Sequence, residues 1–296
     1  MSLRSIVAAL GGDLYDRGRR ANVPAPGHSP ADRSVSLLLS RGRVVVHSFG
    51  GADWRAVVDD LRARGLVDAD GAPRSAARVP GVPADLSVGD RLTAARRLWD
   101  SAGPAWEATL TARNLRLRGV ERDVPTPGVL RHAAAAPLSV YRSGERTMPA
   151  LVIAISGPDG EFSGIEVTYL APSGRRAVGL RLPRKTVGTV PPSSAIRIDP
   201  AAPEMLVAEG FFTTLSATER FGLPGWALMS TRNLRSWSPP QGVRRVLVAA
   251  DRGRDGERSA ALLAARLRAA GLRVSVRSPP PPYGDWNEAT GWPVPC

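Results

Sequence analysis

The stretch MLVAEG, Met205–Gly210, decides how this chain folds. A short aliphatic run closes on a carboxylate, Glu209, and gives way to the helical pattern FFTTLSATERF at 211–221. A second run, RRVLVAAD at 244–251, has the same form and closes on Asp251 before the long helical pattern RDGERSAALLAARLRAAG. Strands that alternate with helices build a mostly parallel sheet. The carboxyl ends of neighbouring strands in such a sheet lie along one edge, where ligands bind. Two carboxylates on that edge form a hard-oxygen site suited to Mg²⁺ rather than to zinc or copper.

The composition narrows the partner. Forty basic residues against 27 acidic ones leave a net charge of +13 in 296 residues. An excess of this size favours a polyanion, because neutralising phosphates releases counterions. Only Lys185 is a lysine, so arginine-rich coding contributes to the excess. A hydrophobic share of 43% and a charged share of 23% describe a globular chain, long enough for two or three domains. The single cysteine, Cys296, excludes an internal disulfide and a thiolate zinc site. No apolar run reaches the length of a membrane span, and the apolar run at the N-terminus is too short for a signal peptide. A cytoplasmic protein that does not enter a membrane is expected.

Working outward, the third unit covers 203–285, with GWALMS as its second strand and LRVSVRS as its fourth. Leu262, Leu263 and Leu267 are expected to line one face of its long helix. The Pro-rich tail 286–296 carries no expected core. Before this unit, 88–202 opens with two helical patterns, the second starting from Pro104. Strand runs ALVIAIS, IEVTYL and RAVGLRL follow, joined by Gly-containing turns, as in an antiparallel meander. The basic loop PRKTVG comes next. Residues 67–87, rich in Ala, Pro and Gly, read as a linker. The first unit, 1–66, has an apolar start, a loop ANVPAPGHSPADRS, a hairpin SVSLLLS–RGR–RVVVHSF, and a helix capped by Asp53. Trp54, Trp99, Trp106 and Trp226 read as core, whereas Trp286 in the tail is a candidate base-stacking residue.

In order and motif the units resemble the Toprim-domain primase-like proteins of phages and plasmids. The Toprim signature, a strand ending in Glu and a later strand ending in Asp-x-Asp, is matched by VAEG with Glu209 and AADRGRDGE with Asp251. GDWNEA resembles the closing motif and makes Asp285 the third acidic candidate. ARNLRLRG, ending on Gly119, resembles the Tyr-Leu-x-x-Arg-Gly element of bacterial-type primase cores. The resemblance implies a degenerate zinc-ribbon-like unit, an α+β primase-core subdomain and a C-terminal α/β Toprim domain.

Two departures stand out. Gly253 occupies the place of the second Asp of Asp-x-Asp, with Asp255 and Glu257 downstream as substitutes. The ribbon-like unit keeps His28 and His47, with Asp53 as a third candidate, but no cysteine, short of the four ligands of a structural zinc site. Zinc is therefore not expected there.

The resemblance implies a nucleotidyltransferase that makes RNA primers on single-stranded DNA from nucleoside triphosphates. Mg²⁺ or Mn²⁺ would be held by Glu209, Asp251, Asp255 and Asp285, with Glu209, Asp251 and Asp285 catalytic. A separate helicase would unwind the DNA, since the chain has no phosphate-binding Walker loop. Arg184, Lys185, Arg113, Arg116, Asn233 and Arg235 are candidates for nucleotide or nucleic-acid contact. Each has a plainer role: Asp251 as a helix N-cap, the basic residues as solvated surface. A Toprim nuclease and an inactive nucleic-acid-binding module stay open beside the primase.

Overall fold

A computed structural model describes residues 3–29, 32–48, 53–74, 86–141, 146–180 and 182–291. The chain divides into two compact units, Met1–Ser87 and Val88–Cys296. Among the described residues, no helix is long and apolar enough to cross a membrane.

In the first unit, helix α1 (Arg4–Leu10) precedes a four-stranded antiparallel meander, β1 (Asp13–Tyr15), β2 (Arg20–Val23), β3 (Val35–Ser40) and β4 (Arg43–Ser48). Strand β2 takes up the start of the expected loop ANVPAPG. Alternating burial along β3 sends Val35, Leu37 and Leu39 into a core with Ile6, Val23, Val57 and Leu61. Helix α2 (Trp54–Ala63) begins as the sequence predicts, with the Asp53 side chain accepting from the Arg55 N–H at 3.0 Å. The linker expectation is corrected at its start. Val67 is buried, and the Arg74 N–H donates to the Leu66 carbonyl at 3.0 Å, so 67–74 belong to this unit. Residues 75–85 of that stretch lie outside the described residues.

The second unit joins two sheets that the sequence presents as separate domains. Helix α3 (Val88–Ser101) covers one face of an antiparallel sheet of β5 (Gly103–Pro104), β6 (Leu130–Pro137), β7 (Thr147–Ser156), β8 (Phe162–Tyr169) and β9 (Arg184–Gly188), in that order. Pro104 sits in a short strand. The second helix, α4 (Leu110–Leu117), starts later and is capped by Thr109, whose hydroxyl accepts from the Ala112 N–H at 3.2 Å. Strand β6, LRHAAAAP, is absent from the sequence reading because its alanines carry helical propensity, not strand propensity. The described residues of RAVGLRL form only an isolated bridge at Arg176 and no strand; the meander closes instead through PRKTVG, read as a loop and observed as β9.

The second sheet has the order β10 (Ile196–Arg197), β12 (Gly225–Ala227), β11 (Glu204–Ala208), β13 (Arg245–Ala249), β14 (Arg273–Arg277). It is parallel except for β10. Helices α5 (Phe211–Phe221), α6 (Thr231–Ser236) and α7 (Arg254–Ala269) connect its strands. Helix α7 buries Ala260, Leu263 and Leu267 but leaves Leu262 exposed, which corrects the expected leucine face. Leu130, Leu151 and Ile153 of the antiparallel sheet share one core with Ile196, Phe211 and Leu215. Each such fully buried aliphatic side chain contributes at most about 1.5–3 kcal/mol. Trp99 and Trp226 are core, but Trp54 and Trp106 are 50% and 67% exposed.

The tail also departs from expectation. Trp286 is buried edge-on against Phe221, with ring centroids 5.1 Å apart, so it does not stack a base. Asn287 donates to the Arg118 carbonyl at 2.7 Å and to Ser216 Oγ at 3.0 Å. Gly119, at φ +66°, lies where a Cβ would stand 3.0 Å from Thr290. The residues after Gly284 thus tie the antiparallel half to the parallel half.

Candidate functional site

Residues Ala208 and Ala249 pair across β11 and β13. Glu209 and Asp251 therefore leave the sheet one and two residues beyond the same rung, at its carboxyl edge. The Arg252 N–H donates to the Gly284 carbonyl at 2.7 Å, which brings Asp285 and Glu288 to that edge. Burial first, then the charges of Glu209, Asp285 and Glu288, push the Asp251 carboxyl up to about 7. Burial and the charge of Asp255 raise Glu209, partly opposed by the Thr231 N–H, Arg184 and Arg235. These groups lie close enough to feel one another in a poorly solvated place.

Asp251 is not an N-cap. Helix α7 is capped at Gly253, and Asp251 Oδ1 is buried with no hydrogen-bond partner. An orphaned carboxylate oxygen surrounded by acids is a position that a cation would satisfy. The hard oxygens suit Mg²⁺ or Mn²⁺. Among the described residues no group of three such side chains is placed to hold a metal ion by itself. That arrangement fits an ion held by one or two carboxylates, waters and substrate phosphates.

The proposed substitutes for the missing carboxylate are otherwise engaged. Asp255 is ion-paired with Arg235, which also donates from Nε to Ser259 Oγ at 2.9 Å. Glu257 Oε1 receives the Gly253 N–H at 3.4 Å. Gly253 itself sits at φ +116°, a conformation L residues rarely adopt. The loss of the second Asp is thus built into the backbone as well as the side chain.

Beside this edge a cleft lies between the two sheets, lined by Asn114, Arg118, Glu166, Arg176, Arg184 and Asp285, with Asn287, Thr168 and residues 210–213. Arg118 donates from Nη1 to Asn287 Oδ1 at 3.2 Å. Strand alternation separates the two basic residues of β9. Arg184 faces the cleft, whereas Lys185 Nζ donates to the Leu138 carbonyl at 2.9 Å and lies over the Tyr169 ring. Arg113 and Arg116 donate to the Pro172 and Glu107 carbonyls and are not part of the cleft lining. Asn233 is buried, donates to the Ser194 and Leu228 carbonyls, and accepts from the Ser193 N–H, so its polar atoms are spent on structure.

Sequence reasoning missed Glu288, Glu166, Asn114 and Arg176. Glu288 follows Asp285 by three residues, a spacing that one helical turn brings to one side. Glu166 was visible as an acid inside the apolar run IEVTYL. Arg176 was obscured by the mistaken strand. Asn114 carried no signal of its own.

In the first unit, His28 Nδ1 lies 3.1 Å from Asp32 Oδ2, and His47 Nδ1 lies 3.2 Å from the Ser48 carbonyl. Asp53 is the cap of α2.

Comparison with known proteins follows this division. Residues 204–291 match the Toprim domain family, and residues 89–198 match a domain family of unknown function, DUF7146. No curated protein matches the chain. Among solved structures, the primase fragment of the bacteriophage T7 primase-helicase protein is similar at 13% identity, with 90% of this chain and 93% of that one covered and a TM-score of 0.40. The zinc-binding and RNA polymerase domains of the Aquifex aeolicus primase are similar at 14% identity, with 97% and 79% covered and a TM-score of 0.41. The RNA polymerase domain of the Mycobacterium tuberculosis primase, in complex with a double-stranded DNA oligomer with a 6-nucleotide overhang, is similar at 15% identity, with 70% and 77% covered and a TM-score of 0.45. The parallel half of the second unit is thus the part of the chain that matches the Toprim domain family. Domains of this kind typically bind divalent metal.

Proposed function

We propose that this protein is a primase-like nucleotidyltransferase that joins ribonucleotides on single-stranded DNA, in replication of a phage, plasmid or other mobile element. The observation that carries this reading is the junction of an acidic sheet edge, with Asp251 Oδ1 unpartnered, and a cleft lined by three arginines. Glu209 and Asp251 would hold Mg²⁺ or Mn²⁺ directly, with Asp285 and Glu288 at the same edge reaching it through water. The ion would neutralise phosphate charge and activate the attacking hydroxyl. Arg118, Arg176 and Arg184 bind the triphosphate, and Arg184 also offsets the charge of Glu209. The buried cleft floor of Phe211 and Asn287 limits water beside the phosphates. The net charge of +13 supports a single-stranded DNA template, and a cytoplasmic protein working beside a separate helicase fits this reading.

The test is labelled ribonucleotide incorporation on single-stranded DNA with Mg²⁺ or Mn²⁺, run beside Glu209→Gln and Asp251→Asn. Products from the wild type alone are expected. Degraded DNA without incorporation would replace the polymerase with a nuclease at the same acids. Salt-sensitive DNA binding without either reaction would leave a binding module.

A further inference from the structure

The arginines and acids account for phosphate and metal, but the cleft also holds acceptors that neither uses. Asn114 is 5% exposed, and its Nδ2 donates to the Gly174 carbonyl at 2.8 Å. That bond sets the amide orientation, since a carbonyl accepts only from the nitrogen side. Oδ1 is left buried without a partner. Glu166 on β8 lines the same cleft and makes no side-chain hydrogen bond among the described residues; Arg184 supplies its nearby positive charge. Thr168, two residues along, lies on the same face of the strand.

A buried acceptor without a partner, Asn114 Oδ1, beside the half-buried Glu166 carboxylate calls for donors on a ligand. A phosphate has none to give, and a carboxylate repels it. The wall at Glu166 and Asn114 therefore suits the part of a nucleotide that carries hydroxyls. The sugar is bonded to the phosphate where chemistry occurs, so it follows directly from the phosphate-binding arginines and Asp285, with the base farther out.

We propose that Glu166 and Asn114 are specificity residues that accept hydrogen bonds from the sugar hydroxyls of the bound nucleotide, so that the cleft prefers ribonucleotides to deoxyribonucleotides. The assignment rests on the reading of the cleft as a nucleoside triphosphate site.

Calorimetric binding of ATP, GTP, dATP, 3′-deoxy-ATP and inorganic triphosphate to the full chain, with Mg²⁺ and no template, tests it. ATP and GTP are expected to bind alike, and loss of a reading hydroxyl is expected to weaken binding by about tenfold or more. Glu166→Ala and, separately, Asn114→Ala should erase the ratio between ATP and its deoxy analogues, while inorganic triphosphate binds each variant at least as tightly as the wild type. Thermal melts check that each variant is folded; if one is not, the wild-type ratio and the other variant decide. Equal binding of ATP and both deoxy analogues, with triphosphate bound, overturns the sugar assignment and leaves the nucleotide site standing. A strong preference between ATP and GTP that vanishes in Glu166→Ala assigns these residues to the base and also overturns it. No binding of any nucleotide or of triphosphate overturns the functional reading itself.

Discussion

The loop around Asp32 and the sheet edge around Asp251 treat a carboxylate in opposite ways. Asp32 accepts from the Ala25 N–H at 2.9 Å, the Ser34 hydroxyl at 2.6 Å and the Ser34 N–H at 3.1 Å, with His28 alongside. The Ser34 hydroxyl above all holds its carboxyl well below the usual carboxylate range. Asp251 has a buried oxygen without any partner and three acids about it, and its carboxyl is pushed up. One carboxylate is consumed in holding a loop; the other is kept unsatisfied by its own fold. Geometry of the second kind, unfavourable until a ligand arrives, is what the proposed metal site requires.

The largest expected difference between the two is in turnover. Asp251→Asn should reduce incorporation by roughly a hundredfold or more, the effect of losing one transition-state charge partner, whereas Asp32→Asn should leave it within about twofold. Steady-state incorporation by both variants measures it, and equal losses would erase the contrast.

Stability against pH separates them by sign. The folded-state value of Asp251 is raised from 3.8 to about 7, so the stability this group lends at low pH is lost as pH rises through that range. Metal-free Asp251→Asn should therefore be the more stable protein at pH 8, by about 2 kcal/mol after allowing for solvent screening of a partly exposed group. Chemical denaturation of both proteins at pH 5 and pH 8, in chelator, checks this. Excess Mn²⁺ should shrink the pH 8 advantage, because the ion stabilises only the wild-type carboxylate.

Restoring the absent carboxylate is expected to fail. Gly253→Asp has open space but a backbone at φ +116°, so it should destabilise the protein by about 1–2 kcal/mol and give no gain in incorporation. A rise in activity without loss of stability would show that the helix start rearranges easily.

The smallest effect belongs to Asp32. Its depressed value means that its stabilisation is fully present above the ordinary carboxylate range and is lost only as pH falls below that range towards the depressed folded-state value. Asp32→Asn should lower the melting temperature slightly at pH 7, by about 2 °C, and by progressively less as the solution is acidified below the ordinary carboxylate range.

Much of the site was legible where the signal was local. Glu209 and Asp251 stood at the ends of short aliphatic runs, and the order of those runs put them on one edge. Arg184 was found, but pairing it with Lys185 ignored that neighbours on a strand face opposite ways, which only mattered once PRKTVG proved to be β9. Arg113, Arg116 and Asn233 were plausible by type. The fold ties the arginines to nearby carbonyls and uses Asn233 to join the Ser193–Ser194 turn to the start of α6. Strand β6 was hidden because a run of alanines has no strand character until a neighbouring strand pairs with it.

What the sequence alone determined is the set of elements whose causes are short-range: β-α alternation, the acidic strand ends, the Asp53 cap, and a charge suited to a polyanion. Tertiary structure alone decided which polar groups are left without partners. The tail after Gly284 folds under Phe221, Asp255 is taken by Arg235, and Asn114 turns its nitrogen to Gly174. The physical reason is that hydrogen bonding is a matter of proximity in space: a carboxylate or amide has the same composition whether satisfied or not, and only residues distant in sequence determine which it is.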